Sequence, residues 1–195
     1  MTFSLNLDFD NLVNHHTLLY GEANTYKTFH TSEFVKFLLE SKNIPPKEIS
    51  ILDFAPSLMT IKNLKIGGKI KDFYEKSDTC KNIIFKGEII PPRLKSRNKT
   101  ELYQYARKNF KKTSEILVLF NENPTPVLII NDISIYLHIG SIKLLLNAIN
   151  KSNTFFGNTY FGSSIKCGYA TLFSLRERRK VKSLIKRVEK SYFTG

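Results

Sequence analysis

Cysteine is scarce: the 195 residues hold only Cys80 and Cys167, far apart and without a CxxC pair. That argues against a disulfide framework and suits a reducing interior. Histidine is nearly as rare, and His15, His16, His30 and His138 have no cysteine or acidic partner at metal-ligand spacing, so no zinc site is expected. No G-x-S-x-G elbow occurs, which removes the common serine-hydrolase signature. The first sixteen residues lack both a basic start and a continuous apolar stretch, and no run approaches the ~20 apolar residues of a membrane span. A cytoplasmic protein with no membrane span is the expectation. With 42% hydrophobic and 12% aromatic residues, the chain can bury a core, and residues 1–195 are read as a single domain.

Acidic residues are also short: 17 Asp and Glu face 30 Lys and Arg, for a net charge of +13. The excess is local. Residues 81–112 hold 10 basic and 2 acidic side chains, and residues 174–190 hold 8 and 2, so the rest of the chain is at −1. Two such clusters favour polyanionic partners, whether nucleotide phosphates, nucleic acid or an acidic protein.

Periodicity gives the order of elements. Thr17–Tyr20 is a short apolar run stopped by Gly21, and a helix-compatible stretch runs from Lys27 to Ser41, ending before Pro45-Pro46. A second strand is predicted at Ile49–Asp53 and a third near Ile83, within a less regular insert at about 60–97. Ile66-Gly67-Gly68 reads as a turn or hairpin. Leu102, Ala106, Phe110, Thr113, Leu117 and Phe120 keep one stripe inward along a helix starting at Thr100. Four consecutive aliphatics, Val127–Ile130, predict a strand buried on both faces. A helix through Ile139, Ile142, Leu145, Leu146 and Ile149 follows, then a strand at Asn153–Thr159. Ser174-Leu-Arg-Glu177 is read as a capping box opening a basic C-terminal helix at 174–190 that buries Val181, Leu184, Ile185 and Val188. Strands alternating with helices imply a mostly parallel central sheet in a three-layer αβα arrangement.

Between the first strand and the first helix stands Gly21-Glu22-Ala23-Asn24-Thr25-Tyr26-Lys27-Thr28. It resembles the Walker A loop, G-x-x-x-x-G-K-[ST], in its first glycine, its lysine and its hydroxyl residue, with Tyr26 in place of the second glycine. The resemblance implies a P-loop NTPase-like fold. It also implies binding of ATP or a related nucleotide by residues 21–28, with Lys27 on the phosphates and the Thr28 hydroxyl on Mg²⁺. Val127–Ile130 delivers Asn131 and Asp132 to a strand's carboxyl end, where Asp132 would hold Mg²⁺ through water; Asp53, ending its own strand, is the competing candidate.

At least one strand separates the Gly21 loop from Asp132 in sequence, which is similar to the RecA-like ATPase branch, where a strand lies between the two motif-bearing strands. In that branch a glutamate near the Walker B aspartate polarises water; here Ile133 follows, and Glu22 and Glu122 are remote substitutes. No catalytic residue is assigned, and hydrolysis is expected to be slow or partner-stimulated. Asn158 or Thr159 occupies the place of a polar γ-phosphate sensor, and Arg93, Arg97, Arg176, Arg178 and Arg179 are candidates for an arginine finger, in cis or from another copy in a homo-oligomer. The alternative is a pseudo-NTPase that keeps the fold and works as a basic module for nucleic acid or protein.

Overall fold

A computed structural model describes residues 5–61, 64–165 and 167–195. Met1–Ser4 of the segment read for an export signal, and Asn63 within the insert, lie outside the described residues. Six parallel strands form one sheet: β1 (His16–Gly21), β2 (Ile49–Asp53), β5 (Lys81–Asn82), β6 (Val127–Asn131), β7 (Thr154–Tyr160) and β8 (Lys190–Phe193), in the order β5-β2-β6-β7-β1-β8. A separate antiparallel hairpin pairs β3 (Met59–Ile61) with β4 (Leu64–Ile66); Gly67 and Gly68, read as a turn or hairpin, follow it with positive φ. Every residue of β6 is buried, as four successive aliphatics require of a strand covered on both faces.

The alternation of strand side chains separates two cores. Leu18, Leu52, Leu128, Ile130 and Phe155 point to one face, where they meet helices α3 (Lys99–Glu122), α4 (Ser134–Leu137), α5 (Ile142–Ile149) and α6 (Thr171–Ile185). Leu19, Ile51, Ile129 and Phe156 point to the other, where α1 (Lys27–Glu40) contributes Phe34, Val35 and Leu38. Helices on both faces of a parallel sheet make the α/β fold that the sequence predicts. A four-residue helix, α2 (Pro92–Lys95), precedes α3, whose first turn is capped by Asn98 accepting from the Glu101 N–H at 3.0 Å.

Three expectations need correction. The helix predicted through Ile139 is two helices, parted at residues 138–141, where the Tyr136 ring lies so close over Gly140 that a Cβ there would meet it at 2.4 Å. The last helix begins at Thr171 and not at a Ser174–Glu177 box, since Glu177 is drawn into the protein by Arg93, and Val188 falls beyond the helix end. Finally, the helix predicted over 174–190 stops at Ile185, and Lys190 opens β8, whose residues alternate between half-buried and exposed at the sheet edge beside β1.

Candidate functional site

All six strands run the same way, so Gly21, Asp53, Asn131 and Tyr160 end at one edge of the sheet. The β1–α1 loop turns there. Asn24 and Tyr26 adopt left-handed backbone, φ 58° and 57°, and Tyr26 is the residue before α1, with no side chain capping the helix. Its backbone thus takes the conformation that glycine adopts without strain, while its ring is turned outward, 62% exposed. The first N–H groups of α1 face the loop, as an anion site needs.

Lys27 is buried and folds back over its own loop. Its Nζ donates to the Gly21 carbonyl at 3.2 Å, to the Glu22 carbonyl, and to Thr25 Oγ1 at 3.0 Å. Burial lowers its pKa to about 8, although Asp132 and Glu22 favour the charged form. The Glu22 carboxylate accepts hydrogen bonds from Ser163 and Ser164, whose backbone and hydroxyl groups outweigh burial and lower its pKa.

Beside Lys27 the strand ends form a connected polar cluster. The Thr28 hydroxyl donates to Asn131 Oδ1 at 3.2 Å, and Asn158 Nδ2 donates to the same oxygen at 2.8 Å. Asn131 Nδ2 in turn donates to Asp53 Oδ1 at 2.9 Å and to the Gly68 carbonyl at 3.1 Å. Asn158 also bonds Thr31 Oγ1 at 2.9 Å and accepts from the Asp132 N–H at 3.0 Å. Asn131 and Asn158 are both buried, and every amide group of the pair has a partner.

The two competing aspartates have different surroundings. Asp53 accepts from the Ile70 and Ala55 N–H groups at 2.8 and 3.2 Å besides Asn131, and Lys69 Nζ stands 3.6 Å away. Its carboxylate is taken up by structure. Asp132 accepts from Ser134 Oγ at 2.6 Å and lines the cleft with Lys27 and Thr28. Burial raises the pKa of both.

The cleft measures about 440 Å³. It is lined by residues 23–28 together with Asp132, Asn158, Leu58 and Phe73. Thr159, the other sensor candidate, is buried outside it. Glu122 closes α3 just before β6 starts, at the opposite edge of the sheet. Among the arginines, Arg93 pairs with Glu177 at 2.8 Å inside the protein, Arg97 pairs with Glu101 at 2.6 Å on the surface, and Arg176, Arg178 and Arg179 are exposed on α6.

Sequence reasoning missed the role of Asn131 as the hub of the cluster. The available signal was its place as the last residue of the buried strand, one step nearer to Thr28 than Asp132. Among the described residues no three His, Cys, Asp or Glu side chains cluster around a common metal position, and no helix is long and apolar enough to cross a membrane. No known protein family, curated protein or solved structure matches the chain.

Proposed function

We propose that this protein binds a nucleoside triphosphate, with ATP the first to test, together with Mg²⁺ at the carboxyl edge of the sheet. The observation that carries the reading is the convergence of Lys27 and Thr28, at the uncapped start of α1, with Asn131, Asp132 and Asn158 at the ends of two neighbouring strands. That β7 lies between β1 and β6 supports likeness to the RecA-like branch of P-loop NTPases.

The donor set suits the ligands. Mg²⁺ prefers hard oxygen ligands, and the Thr28 hydroxyl, the Asn131 amide oxygen and the Asp132 carboxylate are such atoms. Mg²⁺ supplies charge neutralisation to the phosphates when bound. Lys27 now spends its protons on two carbonyls and a hydroxyl, and phosphate oxygens offer it stronger, charge-assisted partners. Asp132 is the better of the two aspartates for the metal side, because its carboxylate has one donor whereas Asp53 has four neighbours. With a neutral amide at Asn131 and no glutamate after Asp132, hydrolysis is slow or depends on a partner.

Calorimetric titration with ATP, with and without Mg²⁺, tests this. Micromolar affinity lost in Lys27→Ala supports it, and absence of binding in both wild type and Tyr26→Gly sinks it.

A second reading has its own observation. The two basic segments lie in one helical layer and touch: Arg93 reaches Ser174 and Glu177 of α6, and the Tyr103 and Phe173 rings meet edge to face at 5.5 Å. A nucleic-acid binding module would use this layer, and its affinity would fall steeply with salt and ignore Lys27→Ala.

A further inference from the structure

Behind Tyr160, the last residue of β7, lies a second cleft of about 370 Å³ that the nucleotide reading leaves unused. Arg93, Phe161, Ser163, Ser174, Leu175 and Arg178 supply most of its character. Tyr160 and Ile165 are shared with the wall of the first cleft, and a smaller cavity of about 70 Å³ bordered by Asp132, Arg93 and His138 lies between the two.

Its chemistry is uneven in a way that specifies a ligand. Two guanidinium groups are stacked on rings at its border: Arg93 over Tyr160 at 4.9 Å from the centroid and Arg178 over Phe161 at 4.6 Å. Stacking fixes the plane of a guanidinium and leaves its N–H fork free at the edges. Arg93 is already neutralised by Glu177, at 2.8 Å and with both side chains less than a tenth exposed, and the same carboxylate lies 3.3 Å from His138 Nε2. Arg178 has no carboxylate partner among the described residues. Among the described residues the cleft therefore holds one oriented positive charge without a carboxylate partner, next to apolar surface from Phe161, Ile165 and Leu175 and the Ser174 hydroxyl, while the Ser163 N–H and hydroxyl at its border are taken up by Glu22. The volume is at the lower end of the range for small-molecule sites.

We propose that this cleft binds a small organic anion, a carboxylate or phosphate monoester on a flat apolar body, with its charged group on the Arg178 fork and its body against Phe161 and Leu175. The site does not depend on nucleotide binding at Lys27, so it stands or falls separately from the proposed function.

Phenyl phosphate is the probe. Titrated into ¹⁵N-labelled full-length protein, it shifts the amides of Gly162, Ser163, Gly168 and Thr171 saturably, and phenol, which has the same ring without the charge, binds at least about tenfold more weakly. Arg178→Ala weakens phenyl phosphate at least about tenfold and Arg178→Lys less, because lysine keeps the charge and loses the fork. Arg178 is exposed, so its loss leaves the fold intact, which the unshifted remainder of the spectrum checks. Lys27→Ala binds the probe as wild type does. The proposal is overturned if shifts centre on residues 21–28, if Lys27→Ala abolishes them, if Arg178→Ala leaves affinity unchanged, or if no saturable binding occurs.

Discussion

Replacing Asn131 by aspartate is the sharpest test of the strand-end cluster, because it changes one nitrogen to oxygen and nothing else in shape. Asn131 Nδ2 donates at 2.9 Å to Asp53 and at 3.1 Å to the Gly68 carbonyl. In Asn131→Asp both acceptors lose their donor, at about 1–3 kcal/mol for a buried group left unsatisfied. Two carboxylates then face each other at about 3 Å, and at an effective dielectric constant of about 20 they repel by about 5 kcal/mol unless they share a proton. Sharing limits the damage, so the expected loss is about 4 kcal/mol at pH 7. The sign with pH follows: a pair whose folded pKa is raised binds more protons folded than unfolded, so the penalty is least near the unfolded Asp value of about 4 and grows as pH rises toward the folded one. Urea unfolding at pH 4.5, 6 and 7.5 measures this. A variant that loses less than about 1 kcal/mol, with no slope against pH beyond that of wild type, would refute the amide orientation and the buried contact with Asp53.

Three further outcomes are expected. Burial lowers the Lys27 pKa to about 8 despite Asp132 and Glu22, and triphosphate binding raises it, so ATP binding takes up protons near pH 8 and fewer at pH 7; calorimetry in two buffers of different ionisation heat reads the number, and zero uptake at pH 8 contradicts it. Glu177→Ala strands Arg93 and costs about 3–5 kcal/mol in denaturant unfolding. Arg93 and His138 overcome burial and lower the Glu177 pKa, so wild type loses this stability as pH falls below 4.5 and the variant has none of it to lose. Tyr26→Gly relieves a left-handed side chain, about 1 kcal/mol, but gains a similar amount of unfolded-chain entropy, so its melting temperature stays within a few degrees while ATP binds more tightly; a melting loss of more than about 10 °C would show that the ring has a structural role.

The layered fold was legible because burial imposes periodicity. Val127–Ile130 could only be a strand covered on both sides, and the step of three and four from Leu102 to Phe120 could only be one helix face. What failed was decided by contacts across long sequence distances. Glu177 looks like the end of a capping box until Arg93, distant in sequence, draws it inward, and β8 is too short and too polar to announce itself before β1 offers an edge. In the site, the loop residues were visible as a motif, whereas Asn131 was not, because its importance lies in joining Thr28, Asp53 and Asn158 from three other elements.

Backbone conformation singles out the same candidate cleft without reference to charge or motif. Among the described residues, five other than glycine have positive φ: Asn14, Asn24, Tyr26, Asn43 and Asp132. Asparagine tolerates the left-handed region comparatively well, which accounts for Asn14 and Asn43 at ordinary turns. The one with least excuse for it is Tyr26, whose ring gains no cover from the conformation; Asp132, of a residue type that also tolerates the region, borders the same cleft, as does Asn24. A left-handed Tyr26 directs the start of α1 and the Lys27 stem into the cleft, and a left-handed Asp132 lets its N–H meet Asn158 while its carboxylate turns to Ser134 and the cleft wall. Strain of about 1–3 kcal/mol per residue persists only where surrounding structure enforces it, and here it is concentrated where two loops must bring an ammonium and a carboxylate to one cavity.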